Sequence, residues 1–276
     1  MKSFIWILAF VITVSSAYYQ RKTGPSRPVR TEVNTGIQRF PVEFMRSHAG
    51  STDCPVTLRI PDISVKGTLL YRKYPSKDIM TKVDLKRQGD RLIAFLPNQP
   101  PAGKLEYKVN LEKDGIPVAV GKDSSILIRF TGNVPAIVLT IHIVLMFLAM
   151  FLGSASGLYA LFNIRFYKLL TIITFIVLII GGLVFGPIVQ KYAFNEWWSG
   201  IPLGWDLTDN KTLIAILFWL MALEMLRRKS AAFWVIIAWI VTIVIFSIPH
   251  SLYGSQLDAE TGKIIQGNIL PYLQLF

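Results

Sequence analysis

Two patterns of apolar residues divide the chain near residue 134. Before this point, apolar and polar residues alternate in short runs, as they do in half-buried strands. In one such run Leu105, Tyr107, Val109 and Leu111 fall on the same face. After residue 134 come long apolar segments with few charges, which are typical of membrane helices. The pattern therefore predicts an all-β domain followed by a membrane all-α domain.

The β domain is predicted over 37–133, because turn sequences such as Gln88-Gly89-Asp90 and Asp114-Gly115 separate its apolar runs. About seven short strands at this spacing favour an immunoglobulin-like or fibronectin-type sandwich. The stretch from Leu96 to Tyr107 also resembles the strand–turn–strand of such modules. The predicted strands are Val56–Ile60, Gly67–Tyr74, Thr81–Lys86, Arg91–Leu96, Lys104–Leu111, Ile116–Val120 and Ser125–Phe130.

The second half of the chain holds four apolar segments, each near the roughly 20 residues that cross a bilayer. We expect 134–254 to form a four-helix transmembrane bundle with a Trp-rich outer loop at 187–210. Asp209 or Thr208 is the expected cap of the third helix. The four segments are 134–162, 167–189, 211–226 and 231–249.

The N-terminus carries a targeting pattern over residues 1–19. An apolar run from Phe4 to Val14 follows a basic residue and precedes the small residues Ser15-Ser16-Ala17. A cleaved signal peptide and a short N-terminal anchor share this pattern, and both interpretations stay open. Either one directs the following chain across the membrane. Glycine and proline residues then predict a linker over 20–36.

Charge sets the expected orientation. The formal net charge is +12, but basic residues beside apolar helices usually orient the chain and contact lipid headgroups, so we expect no nucleic-acid partner. The loops 163–168 and 227–229 hold basic residues and no acid. The positive-inside rule places both loops in the cytoplasm. The β domain, the outer loop and the tail at 255–276 then lie outside the cytoplasmic (inner) membrane.

Common catalytic motifs are missing from the sequence. It contains no GxSxG, no Walker loop, no HExxH and no GxGxxG after a strand. A single cysteine, Cys54, excludes an internal disulfide, a cysteine zinc site and a CxxCH haem attachment. We therefore expect a redox or accessory subunit more than an enzyme.

Two of the three histidines are expected at the outer side of the membrane. His142 lies about two turns into the first helix, and His250 follows the fourth. An ionisable residue in a spanning helix indicates a functional site, although a helix–helix hydrogen bond is the plainer interpretation. The outer loop between them adds Trp197, Trp198 and Trp205-Asp206. An aromatic belt at the membrane interface accounts for tryptophans alone, but not for the glycine, proline and acidic residues among them.

From His142 to Gly254 the order of these parts resembles the membrane haem-handling proteins of cytochrome c assembly. Those proteins carry a Trp-rich outer loop between two outward-facing histidines that ligate haem. The matching residues here include Trp197-Trp198, Gly204-Trp205-Asp206 and His250-Ser251-Leu252-Tyr253-Gly254. The resemblance implies a haem site under the loop.

These observations favour a b-type haem between His142 and His250, with tryptophans as its wall and Lys211 near its propionates. The expected function is electron transfer or haem handling in a respiratory or cytochrome-assembly complex, with other subunits as partners. Two alternatives remain. One is a cofactor-free scaffold whose β domain docks partners. The other is copper handling, because His142, Met146 and Met150 share one helix stripe at i, i+4 and i+8.

Overall fold

The computed structural model describes residues 1–36, 38–121, 125–249, 255–258 and 264–266. The chain divides into two compact units. The helical unit comprises Met1–Pro25 and Val134–Gly254. The β unit comprises Ser26–Asn133 and Ser255–Phe276, so it takes chain from both sides of the helical segment.

Within the described residues, the helical unit contains five helical segments. The segment Tyr167–Phe194 is continuous, although a π-helical stretch interrupts its α-helical hydrogen bonding. The elements are α1 (Lys2–Thr23), α2 (Ala136–Leu161), α3 (Tyr167–Leu178), the π-helix Ile179–Phe185, α4 (Gly186–Phe194), α5 (Leu207–Glu224), a 3₁₀ turn (Met225–Arg227) and α6 (Ala231–Ser247).

The helices pack through small residues, and some of their buried polar groups bond to one another. Trp219 of α5 is fully buried, lies against Gly153 of α2, and donates a hydrogen bond to Thr242 Oγ1 of α6 over 2.8 Å. Gly157 of α2 lies directly against the Trp239 ring of α6. Because neither glycine has a side chain, the two tryptophans approach the α2 backbone closely.

The outward surface of the helical unit is apolar. Large side chains such as Phe10, Ile137 and Val184 are exposed on it. Three helices, Lys2–Thr23, Ala136–Leu161 and Tyr167–Phe194, are long and apolar enough to cross a membrane. An apolar exterior of this extent is unfavourable in water and favourable in lipid.

The predicted four-helix bundle after an N-terminal all-β domain is wrong, because α1 precedes the β unit and packs as a fifth helix. Trp6 of α1 stacks near Phe151 of α2, with ring centroids 5.3 Å apart. Ser16 Oγ lies 2.9 Å from Ser247 Oγ of α6. The apolar run stops before residue 20, but the helix continues to Thr23, and Gln20 near its end donates to the Phe246 carbonyl of α6.

The β unit has the following described strands, which pair into one six-stranded, one three-stranded and two two-stranded sheets. They are β1 (Val29–Asn34), β2 (Arg39–Phe44), β3 (Ser47–Ala49), β4 (Cys54–Arg59), β5 (Val65–Lys73), β6 (Thr81–Asp84), β7 (Lys86–Gln88), β8 (Arg91–Leu96), β9 (Lys104–Lys113), β10 (Ile116–Val118), β11 (Ile126–Thr131), β12 (Ser255–Leu257) and β13 (Ile264–Gln266).

The pairing of these strands corrects the predicted sandwich. The six-stranded sheet has the order β3-β11-β9-β5-β6, with β10 also paired to β9, and β3 runs parallel to β11. The three-stranded sheet is β4-β8-β7, and β1-β2 forms a separate hairpin. Alternation correctly predicted the buried face of β9. It missed β1, which lies in the expected linker at 20–36, because prolines and glycines around β1 indicated a loop.

The tail after the helices belongs to the β unit. Leu257 N–H donates to the Ala102 carbonyl over 3.0 Å, and Arg129 donates to the Ser255 carbonyl. Lys104 Nζ donates to Gln256 Oε1 over 3.1 Å. Burial and the neighbouring Arg129 charge lower the pKa of Lys104 to about 7. The tail sequence Glu260-Thr261-Gly262 predicts a hairpin turn, and these residues lie outside the described ones.

The close approach at Gly157 gives a stability prediction. In Gly157→Ala the new methyl group overlaps the base of the Trp239 ring, so we expect a loss of about 1–3 kcal/mol, typical of overpacking. Thermal unfolding in detergent measures it. The control is Gly186→Ala, where the nearest atom lies 3.7 Å from the added Cβ. Equal melting temperatures for the two variants would contradict the close approach.

Candidate functional site

The π-helix positions the ring of His142. Gly181 lies in this stretch, and its carbonyl accepts the Gly186 N–H in the i to i+5 pattern of a π-helix. The same oxygen lies 2.9 Å from His142 Nδ1. Because a carbonyl oxygen only accepts, Nδ1 must carry the proton in this contact. The neutral ring then has its lone pair on Nε2.

His142 lines a cavity of about 200 Å³ within the helical unit. Met146 and Met150 line it from the same face of α2, one and two turns further on. The polar lining comes from other helices and includes Gln20 of α1 and Gln190 of α4. The cavity therefore combines one imidazole, two thioethers and several uncharged polar groups.

Two carboxylates close one side of the cavity at the start of α5. Asp206 caps this helix by accepting the Thr208 N–H over 2.8 Å. From the sequence, Asp209 or Thr208 is the expected cap, so that prediction is wrong. Asp209 accepts the backbone N–H groups of Ser199 and Gly200 over 2.6 and 3.1 Å. Asp209 thus fixes the loop rather than capping the helix.

Polar contacts bond the loop at 195–206 to α4 and to the start of α5. Asn210 Oδ1 accepts the Ile201 N–H over 2.8 Å, next to the two bonds made by Asp209. Gly200 lies so close to Asp209 that an added Cβ would be 2.7 Å from the Asp209 Cβ. Gln190 donates to Ser199 Oγ, which connects the loop to α4. The expected loop over 187–210 is accordingly shorter, because α4 continues to Phe194.

The tryptophans of the loop do not line the cavity. Trp197 and Trp205 are 57% and 68% exposed. Trp198 is half-buried and donates Nε1–H to the Ile201 carbonyl over 3.1 Å. None of the three is a wall of the space beside His142.

The sequence predicts Lys211 near the propionates of a haem, but in the structure Lys211 binds a backbone carbonyl. It is 1% exposed and donates from Nζ to the Ile248 carbonyl over 2.8 Å. Gln20 of α1 donates to the nearby Phe246 carbonyl over 2.7 Å. Both side chains satisfy carbonyls at the C-terminal end of α6, where no intrahelical donor remains.

The structure therefore brings together His142, Met146 and Asp206 of the predicted site residues. His250 lies outside the described residues. Sequence reasoning missed Gln20 and Gln190, because each lies next to a basic residue near the end of its helix and so gave no separate signal. Among the described residues, no group of three or more His, Cys, Asp or Glu side chains is arranged to hold a metal ion.

The size of the cavity limits what it can hold. A cavity of about 150 Å³ accommodates benzene, and this one, at about 200 Å³, is only slightly larger. A haem macrocycle is several times larger than benzene. The described cavity therefore has room for an ion or a small ring.

Comparison of the sequence with models of known protein families and with curated proteins gives no match. The interpretation of the site consequently depends on its own geometry.

The Asp209 contacts predict how the loop is stabilised. In Asp209→Ala the Ser199 and Gly200 N–H groups lose their acceptor, and each lost bond costs about 1–3 kcal/mol when the group stays buried. We expect faster proteolysis within 195–206 and a lower melting temperature. Glu196→Ala is the control, since it removes an exposed carboxylate from the same loop. Identical cleavage rates for both variants would refute the stabilisation of the loop by Asp209.

Proposed function

We propose that this chain is a multi-pass membrane protein that binds copper(I) beside His142 and handles this ion for partner subunits. One observation carries the proposal: the Gly181 carbonyl fixes the His142 tautomer, so that Nε2 keeps its lone pair in a cavity also lined by Met146. Imidazole and thioether are donors that suit copper(I). Backbone orientation of the second ring nitrogen is common among metal-ligating histidines.

The other groups of the cavity are consistent with a monovalent cation. Asp206 contributes a carboxylate, which favours a nearby cation in surroundings of low dielectric constant. Residues four apart on a helix are separated by about 6 Å along its axis. Met146 can thus share an ion with His142, whereas Met150 offers a next sulfur one turn away, a usable step for passing an ion along the stripe.

A b-type haem is the second candidate, because the fixed tautomer of His142 also suits an axial ligand. Under this hypothesis His250 is the second ligand, and the function is electron transfer or haem handling in a respiratory or cytochrome-assembly complex. The small cavity and the exposed tryptophans speak against it. Copper(I) therefore ranks first.

The two-unit organisation supports the proposed topology. The chain leaves the β unit at Asn133 and returns to it at Ser255. A compact unit lies on one side of a membrane, so the intervening segment must cross an even number of times. We take its four helical segments as four crossings; two of them, Ala136–Leu161 and Tyr167–Phe194, are long and apolar enough to span by themselves.

Contacts at the helix ends support the same arrangement. Lys168 Nζ donates to the Leu226 carbonyl over 2.9 Å, so the two basic loops lie at one end of the helical unit. The start of α5 lies at the opposite end, beside the loop at 195–206. We infer that the basic end is cytoplasmic, that the β unit and tail are extracytoplasmic, and that α1 is retained as an anchor, since it packs on α2 and α6.

The copper proposal predicts binding that depends on two α2 side chains. Purified full-length protein in detergent, loaded with copper(I) under ascorbate and desalted, should retain about one ion per chain. His142→Ala and Met146→Leu should each weaken copper(I) affinity at least about tenfold, measured by competition with bicinchoninate. The matched controls His48→Ala and Met45→Leu lie in the β unit and should bind like the unchanged protein.

Other outcomes of this experiment reject the proposal. Equal copper retention by His142→Ala and the unchanged protein would do so. A b-type Soret band that disappears in His142→Ala would favour haem instead. Protein that binds neither copper nor haem would favour the cofactor-free scaffold.

The topology predicts which positions a membrane-impermeant maleimide reaches in intact cells. Leu203→Cys and Ile79→Cys, at residues 77% and 95% exposed, should react from outside. Arg165→Cys and Lys229→Cys should react only after permeabilisation. The native thiol gives little background, because Cys54 is buried and burial raises its pKa to about 11. Labelling of Arg165→Cys in intact cells would overturn the orientation.

A further inference from the structure

One end of the helical unit concentrates five basic residues in two short connections. Arg165 and Lys168 lie where α2 turns into α3, and the basic run 227–229 lies between α5 and α6. All five side chains are exposed. We refer to these five residues as the basic cluster. The proposed metal site does not account for them, because none of them lines the cavity beside His142.

Hydrogen bonds bring the two connections together. The Lys168 backbone N–H donates to the Arg165 carbonyl over 3.1 Å, so these two residues lie one turn apart. Lys168 Nζ donates to the Leu226 carbonyl over 2.9 Å, directly before the run 227–229. The Lys168 ammonium group therefore joins the two groups of charges into one surface.

Acidic side chains do not neutralise the basic cluster. In the described part of the chain, no carboxylate lies within 4.0 Å of any of its five charged groups. Glu224 is the nearest acidic residue along the chain, and it forms no such pair. Like charges at short range repel one another, and an anion bound among them offsets that repulsion. The basic cluster therefore favours an anionic occupant.

Large apolar side chains lie beside the basic cluster. Three of them come one to four residues after one of its basic residues, and all three are exposed. They are Phe166, Leu169 and Phe233. They belong to the apolar exterior of the helical unit, which is favourable in lipid. The surface thus combines basic groups at the end of the unit with apolar groups where the acyl chains of a bilayer begin.

This combination distinguishes among anions. A free phosphate ion can use only the basic groups. A zwitterionic phospholipid brings a second, positively charged group, which the basic cluster repels. An anionic phospholipid joins a phosphate to acyl chains and so uses both parts of the surface. Arginine suits the phosphate, because one guanidinium group can bind two of its oxygens at once.

We infer that the basic cluster binds an anionic phospholipid of the cytoplasmic leaflet. The guanidinium groups of Arg165, Arg227 and Arg228 bind its phosphate, and its acyl chains lie along the exposed apolar side chains beside them. The bound lipid links the α2–α3 connection to the α5–α6 connection. Lipid binding requires the membrane placement proposed above, but it requires no copper, because the metal cavity contains none of these residues.

The test uses metal-free, full-length protein in an uncharged detergent. Native mass spectrometry should show at least about tenfold higher affinity for phosphatidylglycerol than for phosphatidylcholine. The variant Arg165→Gln/Arg227→Gln/Arg228→Gln/Lys229→Gln keeps the Lys168 contact and should lose about tenfold or more in affinity for phosphatidylglycerol. The matched control Lys73→Gln/Lys77→Gln/Lys82→Gln/Lys86→Gln removes four exposed charges from the β unit and should bind like the unchanged protein.

A charge-conserving variant guards against misfolding. Arg165→Lys/Arg227→Lys/Arg228→Lys keeps the positive charges and should keep most of the affinity. Phosphatidylglycerol should also raise the melting temperature of the unchanged protein and of the control, because a ligand that binds only the folded state stabilises it. It should not raise that of the glutamine variant of the basic cluster.

Three outcomes would overturn the inference. Equal affinity of the glutamine variant and its control for phosphatidylglycerol is the first, and equal retention of phosphatidylcholine by the unchanged protein is the second. The third is displacement of the lipid by a comparable concentration of glycerol phosphate, which would assign the basic cluster to a soluble anion.

The lipid site and the copper site can fail independently. His142→Ala should retain phosphatidylglycerol, and the glutamine variant of the basic cluster should retain copper(I). Loss of one ligand without the other therefore identifies which of the two proposals is wrong.

Discussion

The hydrogen bond between His142 and the Gly181 carbonyl is the interaction on which the account of this protein depends. A carbonyl oxygen already used in the helix can accept a second donor, and the π-helical stretch brings this one to the imidazole. In an apolar bundle an imidazole without such a partner would be costly. The bond removes that cost at Nδ1 and leaves Nε2 as a lone-pair donor. A larger residue at Gly181 would clash with Leu145, so the glycine is needed for the close packing that places its carbonyl beside His142.

A second constraint acts at the ends of the helices, where backbone groups lack intrahelical partners. In this protein, side chains act as the hydrogen-bond partners of these backbone groups. Asp206 and Asp209 accept N–H groups around the start of α5, while Lys211 and Gln20 donate to carbonyls at the end of α6. The result is a polar layer at one end of an otherwise apolar unit. This layer gives the cavity its polar side and bonds the loop at 195–206 to the start of α5.

Sequence reasoning succeeded where a local period decides the structure. Alternation predicted β9 and its buried residues, and hydropathy predicted α2 and α6 within a few residues. It failed where the partner lies far along the chain. The packing of α1 on α6 depends on the Ser16–Ser247 contact, and the exposure of Trp205 depends on how Asp209 holds the loop. The i, i+4 spacing predicted that His142 and Met146 share one helix face. Nothing in the sequence indicated the π-helix that orients the His142 ring.

The most direct test of the central claim is X-ray absorption spectroscopy of the copper(I)-loaded protein. We expect an imidazole nitrogen and a thioether sulfur in the first coordination shell. The sulfur should disappear in Met146→Leu, a change that nearly conserves volume, while the imidazole remains. A shell without sulfur in the unchanged protein, or one that Met146→Leu leaves unaltered, would contradict the site.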